Sequence, residues 1–338
     1  MTTTTTPRLP SLPAGSGVTF RRYRGLQDVA AMGEANARLR TRVGMLEPID
    51  PEAMRHRYTH LVNSDPLVDC VIAERDGATV GYARVEWHDL VDGDRVYEVI
   101  TLVEPAAWGL GIAEAFIAWA EERQREVAAA NPSDRRAWLA GEAFDGDEEL
   151  EAVLPASGYM PVRWGAEMLR PDLDAIEEPV VPDGYTLRTP TAGELPAVFE
   201  TIVAGFAEHW GEHEADEHQL AEWIEDPRFR RDLVVVAWAG AVPAACVSNI
   251  VDILPDGSRR GLLDAVVTHP AHRRRGLARA AILRSLRLLR DEGATSAYLG
   301  VDTENHNRAF ALYESCGFRR VSGSVSYRKP FANLEQAP

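Results

Sequence analysis

Two kinds of hydrophobic pattern alternate along the chain. Short β-rich runs at 18–23, 96–103, 185–188 and 262–268 predict strands. Two more, Cys70-Val71-Ile72-Ala73-Glu74-Arg75-Asp76-Gly77 and Leu233-Val234-Val235-Val236-Ala237-Trp238-Ala239-Gly240, end in turn signals and read as the first arms of hairpins. Longer stretches with helical spacing lie between them. The clearest spans 277–290: Ala278, Ile282, Leu286 and Leu289 share one helix face, while Arg284, Arg287 and Arg290 fall on another. A strand at 296–301 and a helical run at 307–313 follow. Strands and helices mixed in this order predict an α/β (α+β) domain with a mixed sheet.

The pattern occurs twice. Pro105-Ala106-Ala107-Trp108-Gly109-Leu110-Gly111-Ile112-Ala113 matches Pro270-Ala271-His272-Arg273-Arg274-Arg275-Gly276-Leu277-Ala278. Each follows a β-rich run and precedes a helical one. Further on, Ser157-Gly158-Tyr159 answers Cys316-Gly317-Phe318. The chain therefore reads as two copies of one domain. Pro171, Pro179 and Pro182, interleaved with Asp172, Asp174, Glu177 and Glu178, mark a stiff polar linker. The expected organisation is a disordered tail over 1–14, a first domain over 15–170, a linker over 171–183 and a second domain over 184–335.

The loop before the helix at 277–290 carries candidate chemistry. A helix N-terminus presents unpaired N–H groups and the positive end of the helix dipole. Gly276 lets the backbone approach an anion closely. Arg273, Arg274, Arg275 and Arg279 add charge-assisted donors. The combination suits a diphosphate. The plain alternative is a solvated basic helix with an ordinary start.

Composition narrows the partners. A chain of 338 residues and 37.3 kDa accommodates two domains, and 45% hydrophobic with 26% charged residues is ordinary for a globular protein. No stretch approaches the ~18 uninterrupted apolar residues of a membrane span. The Thr- and Pro-rich N-terminus has no apolar segment of a secretory signal. The 36 basic against 52 acidic residues give a charge of −16, which disfavours nucleic acid and favours cationic small molecules or basic peptides. Cys70, Cys246 and Cys316 are too few and scattered for a disulfide framework or zinc site, and read as buried reduced thiols of a cytoplasmic protein.

The string Val266-Val267-Thr268-His269-Pro270-Ala271-His272-Arg273-Arg274-Arg275-Gly276-Leu277-Ala278 resembles the acetyl-CoA signature of the GNAT superfamily of N-acetyltransferases. That signature is Arg/Gln-x-x-Gly-x-Gly/Ala after a strand; Arg273, Gly276 and Ala278 fill it. Asn305, Ala309, Leu312-Tyr313 and Gly317-Phe318 follow in the family's order. The resemblance covers 184–330 and implies that the first half is a degenerate second copy. It implies two tandem GNAT domains, an arrangement typical of actinobacteria, each with a mixed, mostly antiparallel twisted sheet flanked by helices. By resemblance, the backbone of Val266, Val267 and Thr268 pairs with the pantetheine arm of acetyl-CoA. The N–H groups of Arg274, Arg275, Gly276, Leu277, Ala278 and Arg279, with Arg273, hold the diphosphate, and Tyr313 is the general acid. The family asparagine falls at His306, between Asn305 and Asn307; Asn305 is taken for the role.

Transfer to an amine needs a base for the amine proton and an acid for the departing thiolate. Asp264, on the strand before the cradle, is the candidate base; the plain alternative is a surface carboxylate. The segment 207–226 carries Glu208, Glu212, Glu214, Asp216 and Glu217 among other acids, with His209, Trp210, His213 and His218. It suits a cationic amine, or is simply a solvated acidic helix and loop. His209 and His213 have metal-like spacing but lack a third ligand, so no metal is expected. Cys316 is read as packing. In the first copy Trp108 replaces Arg273, Leu154 replaces Tyr313, and the segment 145–149 is acidic where a phosphate-rich cofactor would sit. The expectation is an acetyl-CoA-dependent acetyltransferase working from the second copy on a primary amine of a small cationic molecule. The alternatives are a protein or peptide amine as acceptor, or a non-catalytic CoA-binding regulator. The chain is expected to be a monomer or homodimer without nucleic-acid or membrane partners.

Overall fold

The computed structural model describes residues 8–12, 16–214, 218–305 and 308–331. The first half runs β1 (Val18–Arg22), α1 (Val29–Val43), α2 (Pro51–Thr59), α3 (Pro66–Asp69), β2 (Cys70–Arg75), β3 (Ala78–Asp89), β4 (Arg95–Val103), α4 (Ile112–Ala130), β5 (Ala137–Phe144), α5 (Glu148–Ala156) and β6 (Met160–Arg170). The second runs β7 (Thr186–Arg188), α6 (Leu195–Phe206), α7 (Gln219–Glu225), β8 (Val235–Ala239), β9 (Val242–Ile253), β10 (Arg259–Thr268), α8 (Leu277–Asp291), β11 (Ala294–Asp302), α9 (Ala309–Ser315) and β12 (Arg319–Pro330). The predicted strands and helices fall within a few residues of these bounds.

Two compact units result, and each is a mixed, mostly antiparallel sheet flanked by helices. In the first, β1 to β4 pair antiparallel in sequence order and β5 lies parallel to β4. In the second, β7 to β10 repeat this meander and β11 lies parallel to β10. The next strand of each sheet comes from the other half of the chain. Ser324 to Pro330 of β12 pair antiparallel with β5, and Gly165 to Arg170 of β6 pair antiparallel with β11. Residues 165–170 and Leu46–Pro48 thus belong to the second unit and 324–331 to the first, unlike a division at the proline-rich linker. Pairing uses main-chain groups that both copies share, so a sequence repeat carries no record of which sheet a final strand joins.

Alternation along the strands gives each sheet two apolar faces. In the first unit Phe116, Ile117 and Ala120 of α4 cover Val85, Val99 and Leu139, while Met32, Ala35 and Leu39 of α1 lie in a core with Ile72, Tyr82 and Leu102. In the second, Ile282, Leu286 and Leu289 of α8 pack with Val235, Val247, Leu263 and Leu299. Val198 and Ile202 of α6 join Val234, Val236, Cys246 and Val267. Ala278, expected on the buried face of α8, lines a cavity instead, because the first turn of the helix faces the open end of the sheet. No helix among the described residues is long and apolar enough to cross a membrane.

Candidate active site

The second unit opens a gap in its own sheet. β10 and β11 are paired from Arg259 only as far as Leu262. Past that point β10 continues to Thr268, and among the described residues no strand pairs with its β11 edge, so main-chain groups there face a cleft. A ladder-free edge of this kind accepts an extended chain as an added strand.

At the end of β10 the backbone turns through Arg274 (φ +65°) and Gly276 (φ +82°) into α8. Left-handed backbone suits glycine but costs about 1–2 kcal/mol at an arginine. Such turns point successive N–H groups to one side and make an anion-binding concavity. The first donor inside the helix is Ala280 N–H, to Gly276 C=O at 3.1 Å, and no side chain caps the helix start. The N–H groups of Leu277, Ala278 and Arg279 precede that bond, as orphans of the first turn.

These N–H groups border a cavity of about 310 Å³. Val266, Val267 and Thr268 line it from β10, and Arg273, Arg274, Gly276, Leu277, Ala278 and Arg279 from the cradle. Asn305 and Tyr313 close the far side; His306 and Asn307 lie outside the described residues. Arg275 and Asp264 are not in this wall. The sequence reading missed Gly205, Phe206 and His272, which also line it. A Cβ placed on Gly205 would fall 2.6 Å from Cβ of Val267, so only glycine lets the end of α6 approach β10 this closely. That approach brings Glu208 and His209 to the cavity mouth.

Tyr313 is 6% exposed, with its ring edge-on to Phe318 at 6.2 Å. Its hydroxyl makes no hydrogen bond among the described residues. Burial, then the nearby Cys316, pushes the phenol above its ordinary range, so it stays protonated at neutral pH. His272 accepts or donates a 2.9 Å hydrogen bond with the Tyr185 hydroxyl, and burial followed by Arg275 and His269 pulls its ring downward. Two cradle arginines hold carboxylates: Arg273 pairs with Glu208 at 2.5 Å and Arg279 with Glu177 at 3.0 Å.

Asp264 occupies a β-bulge. Leu263 pairs with Asn249 and Ala265 with Ser248, leaving Asp264 without an opposite residue. Solvent reaches Asp264, yet the protein packed around it removes enough hydration to push its carboxyl upward. Arg228 opposes that shift, while Asp226, Glu47 and Asp252 add to it. Arg228 is paired with Asp226 at 3.3 Å and with Glu47 at 3.4 Å. Asp252 accepts the Tyr298 hydroxyl at 2.6 Å. Glu47 arrives on Leu46–Pro48, held by Leu46 N–H to Glu167 at 3.2 Å and Arg260 to Leu46 C=O at 2.9 Å. No periodicity in the first half marks this segment as part of the second unit.

The sequence profile of the acetyltransferase (GNAT) family matches residues 37–138 and 195–318. The chain belongs to the GNAT family. It is a tandem-domain N-acetyltransferase. Mycothiol acetyltransferase of Salinispora arenicola is 27% identical over 334 residues, 96% of each chain. A GCN5-related N-acetyltransferase from Sphaerobacter thermophilus shares the fold with a TM-score of 0.73 at 20% identity, over 97% of this chain and 100% of that one. A tandem GNAT protein from the clavulanic acid biosynthesis pathway, solved without acetyl-CoA, gives a TM-score of 0.67 at 20% identity, over 93% and 98%.

The first GNAT unit repeats the backbone of the second but not its chemistry. Gly109 (φ +74°) and Gly111 (φ +80°) stand where Arg274 and Gly276 do, and α4 starts as α8 does, with Ala115 N–H to Gly111 C=O at 3.1 Å. Here Gly109 N–H donates to Glu149 Oε2 at 2.9 Å, so a carboxylate of the protein sits at the cradle. A Cβ on Gly111 would lie 3.3 Å from Leu12, which packs onto the same core. Trp108 is anchored by its indole N–H to Val103 C=O at 3.0 Å. The caps of α5 and α9 coincide: Tyr159 N–H to Leu154 C=O and Phe318 N–H to Tyr313 C=O are both 3.1 Å. Leu154 is therefore the geometric counterpart of Tyr313, and it is a core residue at 1% exposure. β4 pairs with β3 in unbroken register, without the bulge that carries Asp264.

Proposed function

We propose that the second GNAT unit alone is catalytic, with acetyl-CoA as donor and the primary amine of a small cationic molecule as acceptor. The observation that carries this reading is the convergence, on one cavity, of an unfilled helix N-terminus, an unpaired strand edge and the Tyr313 hydroxyl; the first unit keeps an open β4 edge past Glu98, but Glu149 fills its cradle and Leu154 stands in place of the hydroxyl. These residues fit the donor. Orphan N–H groups and cradle arginines suit a diphosphate, and the free edge of β10 past Leu262 suits an amide-bearing arm. Bound there, acetyl-CoA supplies an acyl thioester. Tyr313 holds a proton at its hydroxyl for the departing sulfur. Asp264, raised above an ordinary carboxyl, takes a proton from the amine. The carboxylates of Asp264, Asp226, Asp252 and Glu47 outnumber Arg228 and Arg260 and favour a cationic acceptor. Relatives named mycothiol acetyltransferase support a small-molecule acceptor.

The test is release of free thiol from acetyl-CoA against a panel of small amines, with lysine-containing peptides in parallel. Turnover should be confined to small cationic amines. Turnover on peptides alone would overturn the acceptor assignment, and failure to bind CoA at all would overturn the donor assignment.

A further inference from the structure

The mouth of the donor cavity contains its own anion. Glu208 follows α6 and is half-exposed, and its Oε2 lies 2.5 Å from Nη1 of Arg273, whose side chain is 20% exposed. The same guanidinium reaches the carbonyls of Gly205 at 3.5 Å and Thr268 at 3.4 Å, so it is drawn toward the end of α6 and of β10. Both Arg273 and Glu208 line the cavity. A carboxylate here takes the cation that a phosphate would use and repels the phosphate as well.

We propose that Glu208 sets donor affinity by competing with the diphosphate of the donor for Arg273. This rests on the donor reading above. An exchange of partners, rather than a new charge, accompanies donor entry: Arg273 passes from Glu208 to a phosphate oxygen. The pair is exposed enough to exchange readily, because ion pairs at such sites are worth only ~0.2–1 kcal/mol.

The test is CoA titration of the full chain as wild type, Glu208→Gln, Arg273→Ala and the double variant, with melting curves for each. Glu208→Gln should tighten CoA by roughly 3- to 10-fold, the sum of a lost competitor and a lost repulsion. In the Arg273→Ala background the same change should gain less than about 2-fold. Glu208→Gln that leaves CoA affinity unchanged, or weakens it, overturns the inference. An equal gain with and without Arg273 also overturns it, since a general charge effect would then suffice. Arg274→Asp serves as the control on the donor reading; aspartate tolerates left-handed backbone and reverses the charge. If Arg274→Asp weakens CoA while Glu208→Gln does nothing, the competition fails and the cradle stands. If wild type binds no CoA, both fail.

Discussion

Tyr313→Phe separates chemistry from packing in this protein. The substitution deletes one oxygen and keeps the ring against Phe318. The hydroxyl has no protein partner among the described residues, so its loss leaves no orphaned donor or acceptor behind, and stability should change by less than about 0.5 kcal/mol. Turnover should respond much more. Burial holds the phenol above its ordinary range, hence above the ~8.5 of a thiol, so full proton transfer to sulfur is uphill until the thiolate itself is desolvated. In the proposed acid role the hydroxyl supplies a charge-assisted hydrogen bond to developing negative charge, worth ~1.5–3 kcal/mol, or about 10- to 150-fold. Positioned acids contribute ~10²–10⁴-fold. The expected loss in kcat is therefore about 10²-fold, at the low end of that range. CoA affinity should hold, because the bond strengthens only as charge develops. The assay is free-thiol release at saturating acetyl-CoA with a verified amine, beside CoA titration and a melting curve. A variant that keeps more than half its kcat with an unchanged melting temperature refutes the acid role of Tyr313. A variant that unfolds instead shows that this aromatic serves the core.

Further outcomes follow from the same geometry. Calorimetric titration with CoA should give one site per chain, and two equal sites would contradict the closure of the first cradle by Glu149 and Leu12. Arg228→Gln removes the cation that holds Asp264 down, so the acid limb of kcat/KM should move to higher pH; a limb that stays in place excludes Asp264 as the base. In the first unit Glu98 is pushed up to about 7 by burial, then by Glu86 and Glu142. Folded, it keeps its proton until about pH 7, whereas unfolded it loses it near 4.5, so its contribution is present below 4.5 and lost as pH rises through 7. Glu98→Gln should therefore stabilise the protein by about 3 kcal/mol at pH 8.5 and by almost nothing at pH 4.5, read as melting temperature at the two values.

Local features were legible in the sequence because they are written locally. The helix predicted over 277–290 ends one residue later, at Asp291, and the run at 96–103 gains only Arg95. Repeating the loop at an offset of 165 residues located Gly111 and Gly276, and both adopt left-handed backbone. What escaped depends on distant partners. That β6 and β12 join sheets across the repeat follows from edge availability, not from their own residues. The bulge at Asp264 exists only against β9, and nothing in the run Leu262-Leu263-Asp264-Ala265 announces it. Nothing in the sequence around Gly205 announces the close approach of Val267. Glu208 was legible as one acid in an acidic stretch, but its pairing with Arg273 spans 65 residues.

The two cradles show how one backbone serves opposite ends. A helix start of this kind always has N–H groups to satisfy, whether or not it binds a ligand. In the first unit the protein meets that demand from within: Glu149, half-buried and pushed upward by burial, accepts from Gly109, while Leu12 covers Gly111. In the second unit a carboxylate is present again, but it engages an arginine side chain and leaves the helix N–H groups facing the cavity. A carboxylate bonded to the backbone under an apolar cover must be dismantled before an anion can enter. One bonded to a guanidinium side chain at the cavity mouth need only change partners. The difference lies in where the acid attaches: in the first unit it closes the helix start, and in the second it leaves that start open to the cavity.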